Sequence, residues 1–264
     1  MKRVLLLLLL LISGKTFAGV RIVSLSPAVT DAIVEIGGKA SLCGRSQVCN
    51  APGTEKIPVA GEMGFPAVEK IIKLRPTHIV TDTQHPGGNW KFLARQGIKI
   101  ILLPGKTIAD YPANLRALGK LLNQENSAEK AAKNFETKLA ALRKSVPAPR
   151  RVLAVLGLPP VISCGKSSFI NEALTLAGAE NICGKLERAY FTLSPEYIIR
   201  SNPEIIISAG VPEKAVRQYF RRPEFRTLQA VKKQNFISVD PDKFCRAGSR
   251  LPEAIRELQR ILVK

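Results

Sequence analysis

Asn126 to Val146 reads NSAEKAAKNFETKLAALRKSV, and the reading of this stretch decides the fold. Apolar residues recur at Ala128, Ala131, Ala132, Phe135, Leu139, Leu142 and Val146. Steps of three and four place them on one stripe of a helix, with Lys130, Lys133, Lys138 and Arg143 largely on the other side. Asn126 is placed to cap the start, with Glu129 completing a capping box, and Pro147 and Pro149 stop the helix. A helix of about twenty residues spans roughly 30 Å, the diameter of a small domain. Such a helix is either a surface helix inside one domain or a rod between two.

A repeat on either side favours the rod. Pro66 to Val80 reads PAVEKIIKLRPTHIV, and Leu193 to Ile207 reads LSPEYIIRSNPEIII. Glu69, Ile71, Ile72 and Pro76 match Glu196, Ile198, Ile199 and Pro203 at the same internal spacing. Each copy reads as a helix turned by a proline into a buried apolar strand. Two copies flanking a long helix point to two similar lobes.

Outward from the rod, strands and helices alternate on both sides, which predicts α/β lobes with mostly parallel central sheets. The expected division is a leader at 1–18, an N-terminal α/β lobe at 19–107, connecting helices at 108–148 and a C-terminal α/β lobe at 149–264. The leader carries Lys2 and Arg3, an apolar run from Val4 to Ile12, and Thr16-Phe17-Ala18 as a cleavage site. That is a secretory signal peptide, too short to remain as a membrane span, and it predicts a soluble periplasmic product. No cysteine opens the expected mature chain, so a lipid anchor is not indicated.

Composition narrows the function. The net charge is +19 over the whole chain, but its lysines and arginines are spread along the sequence rather than blocked. With an export signal and few aromatic residues for stacking, this reads as a basic surface rather than a nucleic-acid site. Five cysteines in an exported chain suggest disulfides: Cys43 with Cys49 first, Cys164 with Cys183 second, and Cys245 left over. Zinc ligation lacks a C-x-x-C pair, and histidines are scarce.

Catalytic material is sparse. No G-x-S-x-G, P-loop or G-x-G-x-x-G occurs, and nothing asks for a cofactor. His78 falls inside an apolar strand and reads as a core or edge residue. His85 lies in a loop after a strand, suited either to a surface loop or to a cleft. Phe65, Trp90, Tyr190 and Phe244 supply aromatic faces near strand ends, the ordinary material of a ligand pocket, although Trp90 and Phe191 suit a core equally well.

Taken in order, RIVSLSPAVTDAIVEIGG, the first repeat, GIKIILLP, the long helix, GAENI, the second repeat and DKFCRAGSRLPEAI resemble the helical-backbone (class III) periplasmic substrate-binding proteins of ABC importers. The likeness covers nearly the whole mature chain and is strongest to the cobalamin-binding members. It implies two lobes on a backbone helix, a small-molecule metal-chelate ligand in the cleft between them, a monomer, and no enzymatic activity. It also implies docking onto a permease dimer through one glutamate per lobe, Glu69 and Glu196. Tyr190 matches a pocket aromatic, and Asp242, Phe244 and Arg246 match a D-x-F-x-R segment in which Cys245 replaces an acid. The family's pocket aromatics near Val48 and Glu62 are missing, and Ala177 stands where the family has a cysteine. On the likeness as a whole a cobalamin-like corrinoid is the expected ligand, with a ferric siderophore or haem as alternatives within the class. An exported hydrolase and a basic adhesion module are the alternatives outside it.

Overall fold

The computed structural model describes residues 19–263 apart from Gln84, Pro86, Ser145 and Pro147, so the expected leader and the expected stop at Pro147 lie outside the described residues. No described helix is long and apolar enough to cross a membrane.

The first lobe opens with β1 (Ile22–Ser24), buried throughout, and α1 (Pro27–Glu35). Ser26 caps α1 by accepting the Val29 N–H, with Pro27 in the first turn. Then come β2 (Leu42–Ser46), β3 (Val59–Glu62), β4 (Phe65–Pro66), α2 (Val68–Leu74), β5 (His78–Thr81), α3 (Trp90–Arg95) and β6 (Lys99–Leu102). They form a six-stranded sheet in the order β4-β3-β2-β1-β5-β6, parallel except for the β3–β4 pair.

The rod is a pair of helices, α4 (Asp110–Leu122) and α5 (Glu125–Arg143). Only Asn123, left-handed at φ 54°, and Gln124 separate them. The expected capping box therefore does not form: α5 begins one residue before Asn126 and has no side-chain cap. Glu129 turns instead to Arg116 of α4, at 2.7 Å, and Arg116 also reaches Glu136 at 2.8 Å. A Cβ on Gly119 of α4 would lie 2.5 Å from the Ala128 Cβ, so the glycine sets how closely the helices approach. The apolar stripe of α5 is buried at Ala128, Ala132, Phe135, Leu139 and Leu142.

The second lobe runs β7 (Arg150–Val155), β8 (Ile162–Cys164), α6 (Phe169–Leu176), β9 (Ala179–Asn181), β10 (Tyr190–Thr192), α7 (Pro195–Ser201) and β11 (Ile205–Ser208). It continues through α8 (Glu213–Phe220), α9 (Gln229–Lys232), β12 (Phe236–Ser238), α10 (Pro241–Phe244) and α11 (Leu251–Leu262). Its parallel sheet has the order β12-β11-β7-β9, beside a small antiparallel β10–β8 pair.

The sequence repeat occupies the same slot in both sheets, since β2-β1-β5-β6 corresponds to β9-β7-β11-β12. Helices α2 and α7 each have seven residues and end in a left-handed residue before a proline, Arg75 at φ 47° and Asn202 at φ 42°. Arg21 donates to the Leu74 and Arg75 carbonyls, and Arg151 donates to the Ser201 carbonyl. The Thr77 and Glu204 N–H groups donate back to the Arg21 and Arg151 carbonyls, both at 2.9 Å. One junction is thus built twice.

A central apolar cluster joins α1, α4, α5, α6 and α11 to one face of each sheet, and separate clusters cover the other faces. This explains why the expected disulfides are not formed and all five cysteines are free thiols. Leu42 packs into the central cluster, so strand alternation turns Cys43 to the opposite face, where its Sγ meets the Ile22 carbonyl. Cys49 packs against α1 instead, with Thr30 Oγ1 and Ser46 Oγ each 3.0 Å from its Sγ. Cys164 belongs to the central cluster and Cys183 to the outer cluster of its lobe.

Candidate functional site

Parallel strands deliver their C-terminal ends to one edge of a sheet, and ligands collect there. Here both sheets turn that edge toward a shared cleft of about 580 Å³. The first lobe contributes Ser26 after β1, Asp82 and Thr83 after β5, and Gly105 after β6. The second contributes Leu156 after β7, Gly210 after β11, and Cys245 and Arg246 after α10. Helices α1 and α6 also open onto the cleft, through Pro27 and Phe169. The lining is mostly apolar with a few polar groups, as in a small-molecule pocket.

Of the residues the sequence points to, Tyr190 and Arg246 line the cleft. The Tyr190 side chain stands 50% exposed on β10. Its ring is open to cleft water on one side, yet the walls displace enough solvent to raise the phenol above its ordinary pKa, opposed by the Ser168 hydroxyl. Asp242 stands behind Arg246: its carboxylate accepts from the guanidinium at 2.6 Å and from Asn50 Nδ2 at 2.8 Å. Arg246 also donates to Asn50 Oδ1 at 2.7 Å and to Asp31 Oδ2 at 3.4 Å, so these side chains bridge the lobes at the edge of the cleft.

The other expected positions fall elsewhere. Phe65 and His85 stack face to face, centroids 4.2 Å apart and planes 2° apart, outside the cleft lining. Trp90 is buried in the outer cluster of the first lobe, its Nε1 donating to the His85 carbonyl at 3.0 Å, and it borders a separate surface hollow with Lys91 and Phe92. Phe244 is fully buried in the central cluster. It closes the short helix α10 where a loop is expected, and the helical turn points the ring inward while Cys245 and Arg246 face the cleft. His78 is buried in β5.

Sequence reasoning does not single out Asp82. A lone acid after an apolar strand has no motif; its only signal is its place at a strand's C-terminal end. Thr83 Oγ1 donates to its Oδ1 at 3.2 Å, and burial raises its pKa against the pull of the Ser26 and Thr83 hydroxyls. Burial likewise pushes the Cys245 thiol up to about 12, and its Sγ donates to the Ala209 carbonyl at 2.7 Å. Among the described residues no three His, Cys, Asp or Glu side chains assemble into a metal-holding group.

Glu69 and Glu196 are exposed in the first turns of α2 and α7, at matching points of the duplicated junction. Its own backbone N–H at the start of α7, and then the Ser194 hydroxyl, hold the Glu196 carboxyl below its ordinary range.

Two α/β lobes on a helical rod, with a cleft between the C-terminal edges of their sheets, define a two-lobed binding protein. The periplasmic binding protein family model matches residues 22–243, and the chain belongs to that family. It is 29% identical over 249 residues to a vitamin B12-binding protein of Pectobacterium atrosepticum, covering 90% of this chain and 86% of the relative. Among solved structures, the periplasmic vitamin B12-binding protein BtuF of Vibrio cholerae has a TM-score of 0.79 at 24% identity, over 92% of this chain and 98% of that one. The periplasmic heme-binding protein HutB of Vibrio cholerae has a TM-score of 0.80 at 22% identity, over 93% and 99%. At those identities the structural likeness is one of fold.

Proposed function

We propose that this chain is the solute-binding subunit of an ABC importer, and that it captures a cobalamin-like corrinoid in the periplasm and hands it to a membrane permease. The observation that carries this reading is the cleft itself: largely apolar, shared by two lobes, and furnished with an aromatic face at Tyr190. The similarity to vitamin B12-binding relatives over most of the chain supports the corrinoid. The work is capture rather than catalysis. Tyr190 lies against the flat face of the ligand, while Arg246, held by Asp242 and Asn50, keeps the two walls in register. Because the lobes are already tied together, closure over the ligand is modest.

The loaded protein docks through Glu69 and Glu196. Two carboxylates at equivalent points of a duplicated junction suit a permease made of two like subunits.

Haem is the second reading, favoured by the phenol of Tyr190 in the cleft and by the fold shared with haem binders. Equilibrium dialysis with cyanocobalamin separates the two. The corrinoid reading expects binding by the native protein and a loss of roughly tenfold in Tyr190→Ala. Unchanged affinity in the variant contradicts the role given to Tyr190, and no binding by the native protein contradicts the corrinoid.

A further inference from the structure

Arg246 is the one Lys, Arg or His among the described residues that line the cleft. Its two terminal nitrogens are engaged within the protein: Nη1 with Asp31 and Asn50, Nη2 with Asp242 and the Val48 carbonyl. Its side chain is 12% exposed. A carboxylate entering the cleft therefore finds no uncommitted cation among those residues.

Asp82 presents the opposite condition. It lies in the floor of the first lobe, and its hydrogen bonds come from neutral donors, the hydroxyls of Ser26 and Thr83 and its own backbone N–H. No cation stands among the groups acting on its charge, while Tyr190 in the facing lobe is near enough to feel it. A Cβ at Gly105 would lie 3.3 Å from the Asp82 Cβ and 3.8 Å from its Oδ2, so glycine keeps bulk away from the carboxylate. An acceptor stripped of water and given no counter-charge gains most from an N–H donor or a cation, and opposes another carboxylate.

We propose that Asp82 makes the cleft selective for chelates whose rim presents carboxamide N–H donors, against those whose rim presents carboxylates. This rests on the reading of the cleft as the ligand site. It also separates two scales of electrostatics: the strongly basic chain attracts anions from a distance, whereas the cleft selects locally against them.

The test is a calorimetric comparison of two probes on one ring, dicyanocobinamide with peripheral carboxamides and dicyanocobyrinic acid with carboxylates, against the native protein and Asp82→Asn. The native protein is expected to favour the carboxamide by at least roughly tenfold, the size of a modest like-charge penalty. Asp82→Asn, folded by circular dichroism, is expected to shrink that preference several-fold, chiefly by gaining affinity for the acid. Equal native affinities overturn the proposal whether or not the variant folds, and so does an unchanged preference in a folded variant. If neither corrinoid binds and haemin does, the corrinoid reading falls, and the filter is judged on haemin against its dimethyl ester. Tighter ester binding by the native protein then supports the filter, and tighter haemin binding overturns it.

Discussion

Asp31 Oδ2 lies 3.4 Å from Arg246 Nη1, joining the first helix of one lobe to the segment before the last helix of the other. The two side chains are 15% and 12% exposed, and Arg250 approaches the same carboxylate at 3.7 Å. A second strap runs from the Ile108 N–H to Glu172 Oε2, at 3.0 Å. The lobes are thus held by polar bonds beside the cleft as well as by the α4–α5 pair. Burial raises the Asp31 carboxyl above its ordinary pKa even though Arg246 and Arg250 pull it down. The pair consequently works more as a register pin than as a source of stability.

Removing the arginine leaves that acid without its nearest counter-charge. Arg246→Met is expected to lower unfolding free energy by about 1–3 kcal/mol, measured by urea denaturation at neutral pH. Adding Asp31→Asn to the same chain is expected to recover part of the loss. A double variant no better than the single one would show that the two side chains do not act as a pair.

Asp82 carries a pH signature of opposite sign to an ordinary salt-bridged acid. Burial holds its carboxyl above the ordinary value of 3.8, so folding takes up a proton between that value and the raised one. The ionised side chain then costs stability above this window and costs nothing below it. Asp82→Asn is expected to be more stable than the native protein at pH 7, with the difference fading as the pH falls toward the ordinary carboxylate range. A difference constant with pH would mean that the carboxylate is not desolvated.

The five cysteines give a direct chemical test of the packing. Burial pushes Cys164 up to about 12 and Cys183 to about 11, so at pH 8 these two fully buried thiols are protonated and shielded. An Ellman titration of the native protein should be slow at these positions, and denaturant should release all five thiols. Three thiols in denaturant would mean that one disulfide forms in the cell.

Docking through a two-fold arrangement predicts a graded response. Glu69→Arg or Glu196→Arg alone should weaken stimulation of the permease's ATPase, and the double variant should abolish transport while leaving ligand affinity intact. Normal transport by the double variant would remove the docking role from both residues.

The frame of this molecule was legible because it is written in period and repetition. The steps of three and four in α5 reappear as its buried stripe, and the paired Glu-x-Ile-Ile segments become α2 and α7 in equivalent slots of two sheets. The short strands β3, β4, β8, β9 and β10, of two to four residues, are too brief to show alternation. The single turn of α10 likewise offers no stripe, so no pattern in the sequence places the Phe244 ring in the core. Cysteine number suggests pairing, but the spacing does not say that Cys43 and Cys49 fall on opposite sides of the first sheet. The cleft is assembled from strand ends and helix starts far apart in the chain, so Asp82, Ser26 and Phe169 meet there without sharing any motif.

The corrinoid assignment is most directly tested by calorimetric titration of the purified protein with cyanocobalamin, with haemin titrated in parallel. One-to-one saturation by cyanocobalamin, with haemin much the weaker ligand, is the expected result. Saturation by haemin with no heat from cyanocobalamin would contradict it.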